Sequence, residues 1–169
     1  DEAVPFLSWV EEAIEQFDPP CSTNHTNPGV VVVPHIDFRV HLQSYAETYH
    51  RLLALESFPE RIYIVGVGHQ CPHELSVHPF GMQTPLGTLH CNEDAWHDAS
   101  RKIGRDLSAS PETFVGEHSL EFAAVWIDAI RQLRGRNEGV QILPLLCGGL
   151  FENLIDDRPP RHGDLFYDF

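Results

Sequence analysis

Two histidines follow β-prone runs in the same manner. Residues 30–33, four valines, lead into Pro34, His35, Ile36 and Asp37, and residues 62–67 lead through Gly68 into His69. If both runs are parallel strands of one sheet, the two imidazoles lie at its carboxyl rim, where open α/β sheets bind ligands. Paired imidazoles with a third donor and open positions suit non-haem iron(II), zinc or copper. Neutral imidazole is the ligating form, so binding should weaken as pH falls through the histidine range. Either histidine alone reads equally well as a satisfied loop or core residue, and it is the matched placement that suggests a site. Asp37 could orient a ring or be a ligand itself. Arg39 is the one cation near this rim in sequence, so Asp37 and Arg39 are the candidate substrate contacts.

A second cluster, Glu117, His118, Ser119, Leu120 and Glu121, stands at the start of a predicted helix. Its exposed N–H groups would attract anions, and its acidic residues suit the helix dipole with or without a catalytic role. Glu117 and His118 are the candidate acid–base residues. Cys147 ends another β-prone run and could bring a thiolate to the same rim, although Leu145 and Leu146 beside it favour a buried structural thiol. No P-loop, GxSxG or dinucleotide fingerprint is present, since Gly66 and Gly68 form a GxG without its third glycine.

The elements that must position these residues follow from periodicity. Phe6, Leu7, Val10, Ala13, Ile14 and Phe17 share one face of a helix. Residues 18–28, rich in proline and asparagine, predict a loop. The valines at 30–33 predict a strand covered on both faces. A helix over residues 44–58, stopped by Pro59, and a second buried strand over residues 62–67 complete a βαβ unit, which makes the two strands parallel neighbours. Residues 75–91 predict an irregular hairpin or lid. Asn92 predicts the cap of a helix with Glu93 and Asp94 in its first turn and Arg101, Lys102 and Arg105 at its end. Leu120, Ala123, Ala124, Ile127 and Ile130 predict a helix closed by Gly135, and residues 140–146 a third buried strand. Residues 155–169 predict an irregular tail.

The 169 residues suffice for a single domain with one core. A formal charge of −14, from 25 acidic and 11 basic residues, argues against a nucleic-acid partner. No apolar run approaches a membrane span, and the acidic first residues do not suit a signal peptide, so a cytoplasmic protein without a membrane partner is expected. The four cysteines, Cys21, Cys71, Cys91 and Cys147, lack CxxC spacing, which predicts free thiols.

The segments VVVVPHIDFR, IYIVGVGHQ, MQTPLGTLH, GEHSLEF and VQILPLLCGG, in this order, resemble the Memo family, including protein B of the AmmeMemoRadiSam system. That family is similar in fold to class III extradiol ring-cleaving dioxygenases. The resemblance implies a three-layer α/β/α fold with a mainly parallel central sheet. It implies His35 and His69 as metal ligands, with iron(II) ahead of zinc or copper, in a metal-dependent oxidoreductase acting on a small molecule or peptide. It covers the family's N-terminal portion, so the sheet is expected to be incomplete at its C-terminal side and a third ligand, a cysteine in the family, to lie beyond Phe169. The resemblance also suggests another role, a peptide-binding module or an accessory protein beside a radical SAM protein and an AMMECR-like protein. A homo-oligomer is left open.

Overall fold

The computed structural model describes residues 3–17, 29–71, 73–135 and 139–148. The loop expected over residues 18–28, Cys21 and the tail expected over 155–169 lie outside them. Chain order gives helices α1 (Ala3–Gln16) and α2 (Phe38–Leu53), then strands β1 (Arg61–Val67), β2 (Ser76–Val77), β3 (Met82–Thr84) and β4 (Gly87–Cys91). Helix α3 (Glu93–Ile103), a short 3₁₀ turn (Pro111–Phe114), helix α4 (His118–Leu133) and strand β5 (Gln141–Cys147) complete it.

The protein is an α/β structure built around β5. This strand runs parallel to β1, from Arg61↔Gln141 to Val67↔Cys147, and parallel to β4 at His90↔Gln141 and Cys91↔Ile142. The short β2 pairs with it antiparallel, and β3 and β4 form an antiparallel hairpin, so the order is β1-β5-β4-β3 and the sheet is open. A strand with parallel neighbours must be covered on both faces, and residues 142–146 are all buried. Ile142 and Leu146 enter the main core with α1, α2 and α4, whereas Leu143 and Leu145 join a second core with Leu75, Val77, Leu107 and the apolar side of α3. The result is helices on both faces of the sheet.

The main core is aromatic. Trp126 of α4 is fully buried and stacks on Tyr45 and Tyr49 of α2, at ring separations of 5.7 and 5.3 Å and interplanar angles near 15°. Trp9 of α1 and Phe38 complete the group. Helix α3 is capped as its sequence predicts: Asn92 Oδ1 accepts from the Ala95 amide at 2.7 Å, and Gly104 closes the helix in the left-handed conformation with φ 79°. Among the described residues no helix is long and apolar enough to cross a membrane.

Two expectations are corrected. Residues 30–33 form no strand: Val30 and Val32 are 85% and 89% exposed, and the run pairs with no strand among the described residues. The βαβ unit is therefore absent, and the parallel partner of β1 is β5, brought from the far end of the described chain. The physical reason lies in β1 itself. Its residues Ile62, Ile64 and Gly66 face α4, but Tyr63, Val65 and Val67 on the other face are exposed, so no covered face continues past this edge to reward a further apolar strand. The second correction is that α2 spans Phe38–Leu53 and not residues 44–58: it starts six residues early because Asp37 caps it and accepts from the Arg39 amide at 2.9 Å, and it ends at the Ala54 C-cap, before Pro59 can stop it. The extra turn is set off by a non-helical His41.

Candidate metal centre

Three segments remote in sequence meet at the carboxyl end of β1. His69 leaves that strand through Gly68, whose N–H donates to the Cys147 carbonyl at 2.9 Å and so holds the exit against the end of β5. His35 arrives on the extended segment before α2. His118 is the first residue of α4. The ring centroids of His35 lie 5.5 Å from His69 and 5.6 Å from His118, and His69 and His118 stack at 4.8 Å with 16° between planes. One donor atom from each ring lies within 4.8 Å of the other two. Donors around a tetrahedral ion with bonds of roughly 2.0–2.1 Å stand ~3.4 Å apart, so modest ring rotations close this set on an ion. The donor chemistry fits a transition metal, since three neutral imidazoles are borderline ligands suited to zinc, copper and iron.

Glu117 underlies the trio. It is the N-cap of α4, its carboxylate is 6% exposed, and four groups converge on it. The His69 backbone N–H donates to Oε2 at 2.8 Å, and His69 Nδ1 lies 2.8 Å from Oε1. The Ser119 hydroxyl, at 3.0 Å, and the Ser119 amide, at 3.4 Å, also reach Oε1. Burial by itself would raise this carboxyl's pKa, but the hydrogen bonds from His69 and Ser119 outweigh it and hold the group below the usual range. The Ser119 hydroxyl is shared with the Val67 carbonyl at 2.9 Å, which ties the start of α4 to the end of β1. This arrangement needs Gly66. A Cβ there would stand 2.5 Å from Ser119 Oγ and 2.8 Å from a Leu120 methyl, so the glycine makes room for a helix. Its role, like that of Gly68 against Cys71 and Gly148, is close packing.

The remaining candidates fall nearby or apart. Asp37 and Arg39 bind each other: the guanidinium Nε donates to both carboxylate oxygens at 2.9 and 3.0 Å, and this pairing, foremost, lowers the Asp37 pKa to about 2. Glu121 is exposed on α4. Cys147 packs against the second core outside the trio, and burial, followed by the nearby Cys71, pushes its thiol up. Cys71, Cys91 and Cys147 are free thiols. A cleft of about 450 Å³ lined by His78, Phe80, Phe114, Glu117 and Glu121 shares Glu117 with the metal trio. Sequence reading found all three histidines, but it assigned His118 a catalytic task and had no signal that α4 would point its first residue at His35 and His69.

Among the described residues, the His35 segment has one polar anchor. Tyr45, fully buried in α2, donates its hydroxyl to the Ile36 carbonyl at 2.8 Å. Tyr45→Phe keeps the stacking on Trp126 and removes that bond, which is expected to cost ~1 kcal/mol. Urea unfolding should show the loss, and amide exchange of Ile36 and Asp37 should quicken. Unchanged exchange there would show that other contacts hold the segment.

An open, mainly parallel α/β sheet with three imidazoles gathered at a strand's carboxyl end defines a protein with a candidate mononuclear metal pocket. The chain belongs to the Memo-like protein family, which it matches over residues 6–153. It is 32% identical to a MEMO1 family protein of Thermus thermophilus over 120 residues, 69% of this chain and 34% of that relative. It is 30% identical to a MEMO1 family protein of Aquifex aeolicus over 99 residues, 57% of this chain and 26% of that relative. The matched part thus spans between a quarter and a third of the length of these relatives.

Proposed function

We propose that this chain holds a single transition-metal ion through His35, His69 and His118, and that the centre serves an oxidoreductase of the ring-cleaving dioxygenase kind acting on a small molecule or peptide. The observation that supports the reading is the convergence of three donor atoms within 4.8 Å from three separate segments. Iron(II) is the ion of first choice on the family resemblance, while an all-imidazole set accommodates zinc and copper equally. When bound, iron(II) would supply one-electron redox chemistry and open positions of Lewis-acid character. The chain's own residues orient the rings. Phe122 packs against the His118 ring at 5.5 Å. The cleft beside Glu117 has the size of small-molecule sites, which run to roughly 300–1,000 Å³.

The test is metal loading of protein purified metal-free and then titrated with iron(II) or zinc. One equivalent is expected to bind, and His35→Ala and His69→Ala should each lose it. If both variants retain the metal of the parent chain, the proposal is wrong.

A second reading, a module that binds another polypeptide, is favoured by exposed apolar side chains, Val30 and Val32 in the run before His35 and Tyr63 and Val65 on the strand that leads to His69. Radical SAM and AMMECR-like proteins would be partners under this reading. A phosphopeptide is disfavoured, because Arg39 is paired with Asp37 and the net charge is −14. Saturable binding of a phosphotyrosine peptide, competed by phosphate, would reverse that order.

A further inference from the structure

We propose that Glu117 is a positioning residue that fixes the His69 ring as its Nδ1–H tautomer and so reserves Nε2 for the ion, a role that rests on the metal reading above. The geometry leaves Glu117 little freedom to do anything else. It is outside the trio of donors, its oxygens are taken up by two contacts from His69 and two from Ser119, and only 6% of it is exposed. The contact to the His69 backbone N–H fixes where the residue sits. The contact at Nδ1 fixes how its ring is turned. Both oxygens already act as acceptors, Oε2 for the His69 backbone N–H and Oε1 for the Ser119 amide and hydroxyl, so the ring nitrogen facing Oε1 is placed to donate and the lone pair is left on Nε2.

Ser119 and Gly66 extend the device into the fold. The serine hydroxyl lies between Glu117 Oε1 and the Val67 carbonyl, and it fits against β1 because residue 66 has no side chain. A carboxylate on the far nitrogen of a ligating histidine both sets the ring's orientation and raises its basicity, and loss of such a partner lowers metal affinity roughly 10–100-fold. Glu117→Gln keeps one oxygen to accept from Nδ1 but turns an amide donor toward the His69 N–H, so an intermediate effect is expected. Glu117→Ala removes both contacts.

Two measurements separate this role from the metal reading. The first is the nitrogen chemical shifts of the His69 ring in metal-free protein at about pH 8, where imidazole is neutral. The parent chain should show the Nδ1–H form, and Glu117→Ala should show a mixture dominated by Nε2–H. The second is zinc affinity by chelator competition, expected to fall roughly 10–100-fold in Glu117→Ala and less in Glu117→Gln. An Nε2–H form in the parent chain overturns the proposal, and that result does not depend on any variant folding. A parent chain with the Nδ1–H form that binds no zinc defeats the metal reading while upholding the Glu117 clamp on the ring. Full zinc affinity in a folded Glu117→Ala defeats the positioning role while leaving the metal reading intact.

Discussion

Replacing His118 by alanine is expected to lower metal affinity as severely as replacing His35 or His69, by more than the roughly 100-fold that a merely supporting contact is worth. That corresponds to over ~2.7 kcal/mol of binding free energy. The argument is geometric. His118 stands at the N-terminus of α4, its ring stacks on His69 at 4.8 Å and lies 5.6 Å from His35, and its donor falls within the same 4.8 Å circle as the other two. Stability should change little, since its ring is only half-buried and the helix is capped by Glu117 rather than by His118. Metal titration of the folded variant, checked by unfolding, separates the two effects. A variant that binds as tightly as the parent would reduce the site to His35 and His69 and return the third donor to residues outside the trio.

How much of this was legible in the sequence depends on whether a signal was local. The cap at Asn92, the faces of α1 and α4, the hairpin near residues 82–91 and the buried run of β5 are set by neighbours within a few positions, and each forms where its pattern indicates. Residues 30–33 fail for a reason that no local pattern carries. Four valines favour a strand, but a strand needs a paired edge and covered faces, both supplied by other parts of a chain. The same limit applies to Asp37, expected as a partner or ligand of an imidazole or a substrate contact, which the structure uses as the cap of a helix that starts earlier than its pattern indicates. His69 was visible because strand ends concentrate function in α/β sheets, whereas His35 was reached through an expected strand that does not form. The placement of His118 beside them was not visible, because it depends on α4 crossing β1 at Gly66, a packing fact recorded only in the absence of one side chain.

The largest loss of stability is expected from a residue that no functional argument touches. Asp128 of α4 is completely buried, accepts from Arg131 Nε at 2.9 Å on the next turn, and accepts from the Thr84 hydroxyl at the end of β3. It thereby pins the β3–β4 hairpin to the helix that carries His118. Gln132 adds a second tie by donating to the Leu86 carbonyl at 2.9 Å. Asp128→Ala removes a carboxylate partner of the buried Arg131 guanidinium together with the acceptor of the Thr84 hydroxyl, a change expected to cost about 3 kcal/mol. Removing both charges is a different matter, because burying an ion pair costs desolvation that a well-packed apolar pair avoids. The double substitution Asp128→Leu with Arg131→Met should therefore recover part of the loss, the Thr84 hydroxyl still lacking its acceptor. Denaturant midpoints for the two single variants and the double variant test this directly, with an unchanged m-value showing that the unfolded state is not responsible. Loss of about 1 kcal/mol or less in Asp128→Ala would mean that water or a neighbouring group replaces the carboxylate. A double variant as unstable as the single one would mean that the pair sets the hairpin's register on α4 and cannot be exchanged for apolar volume.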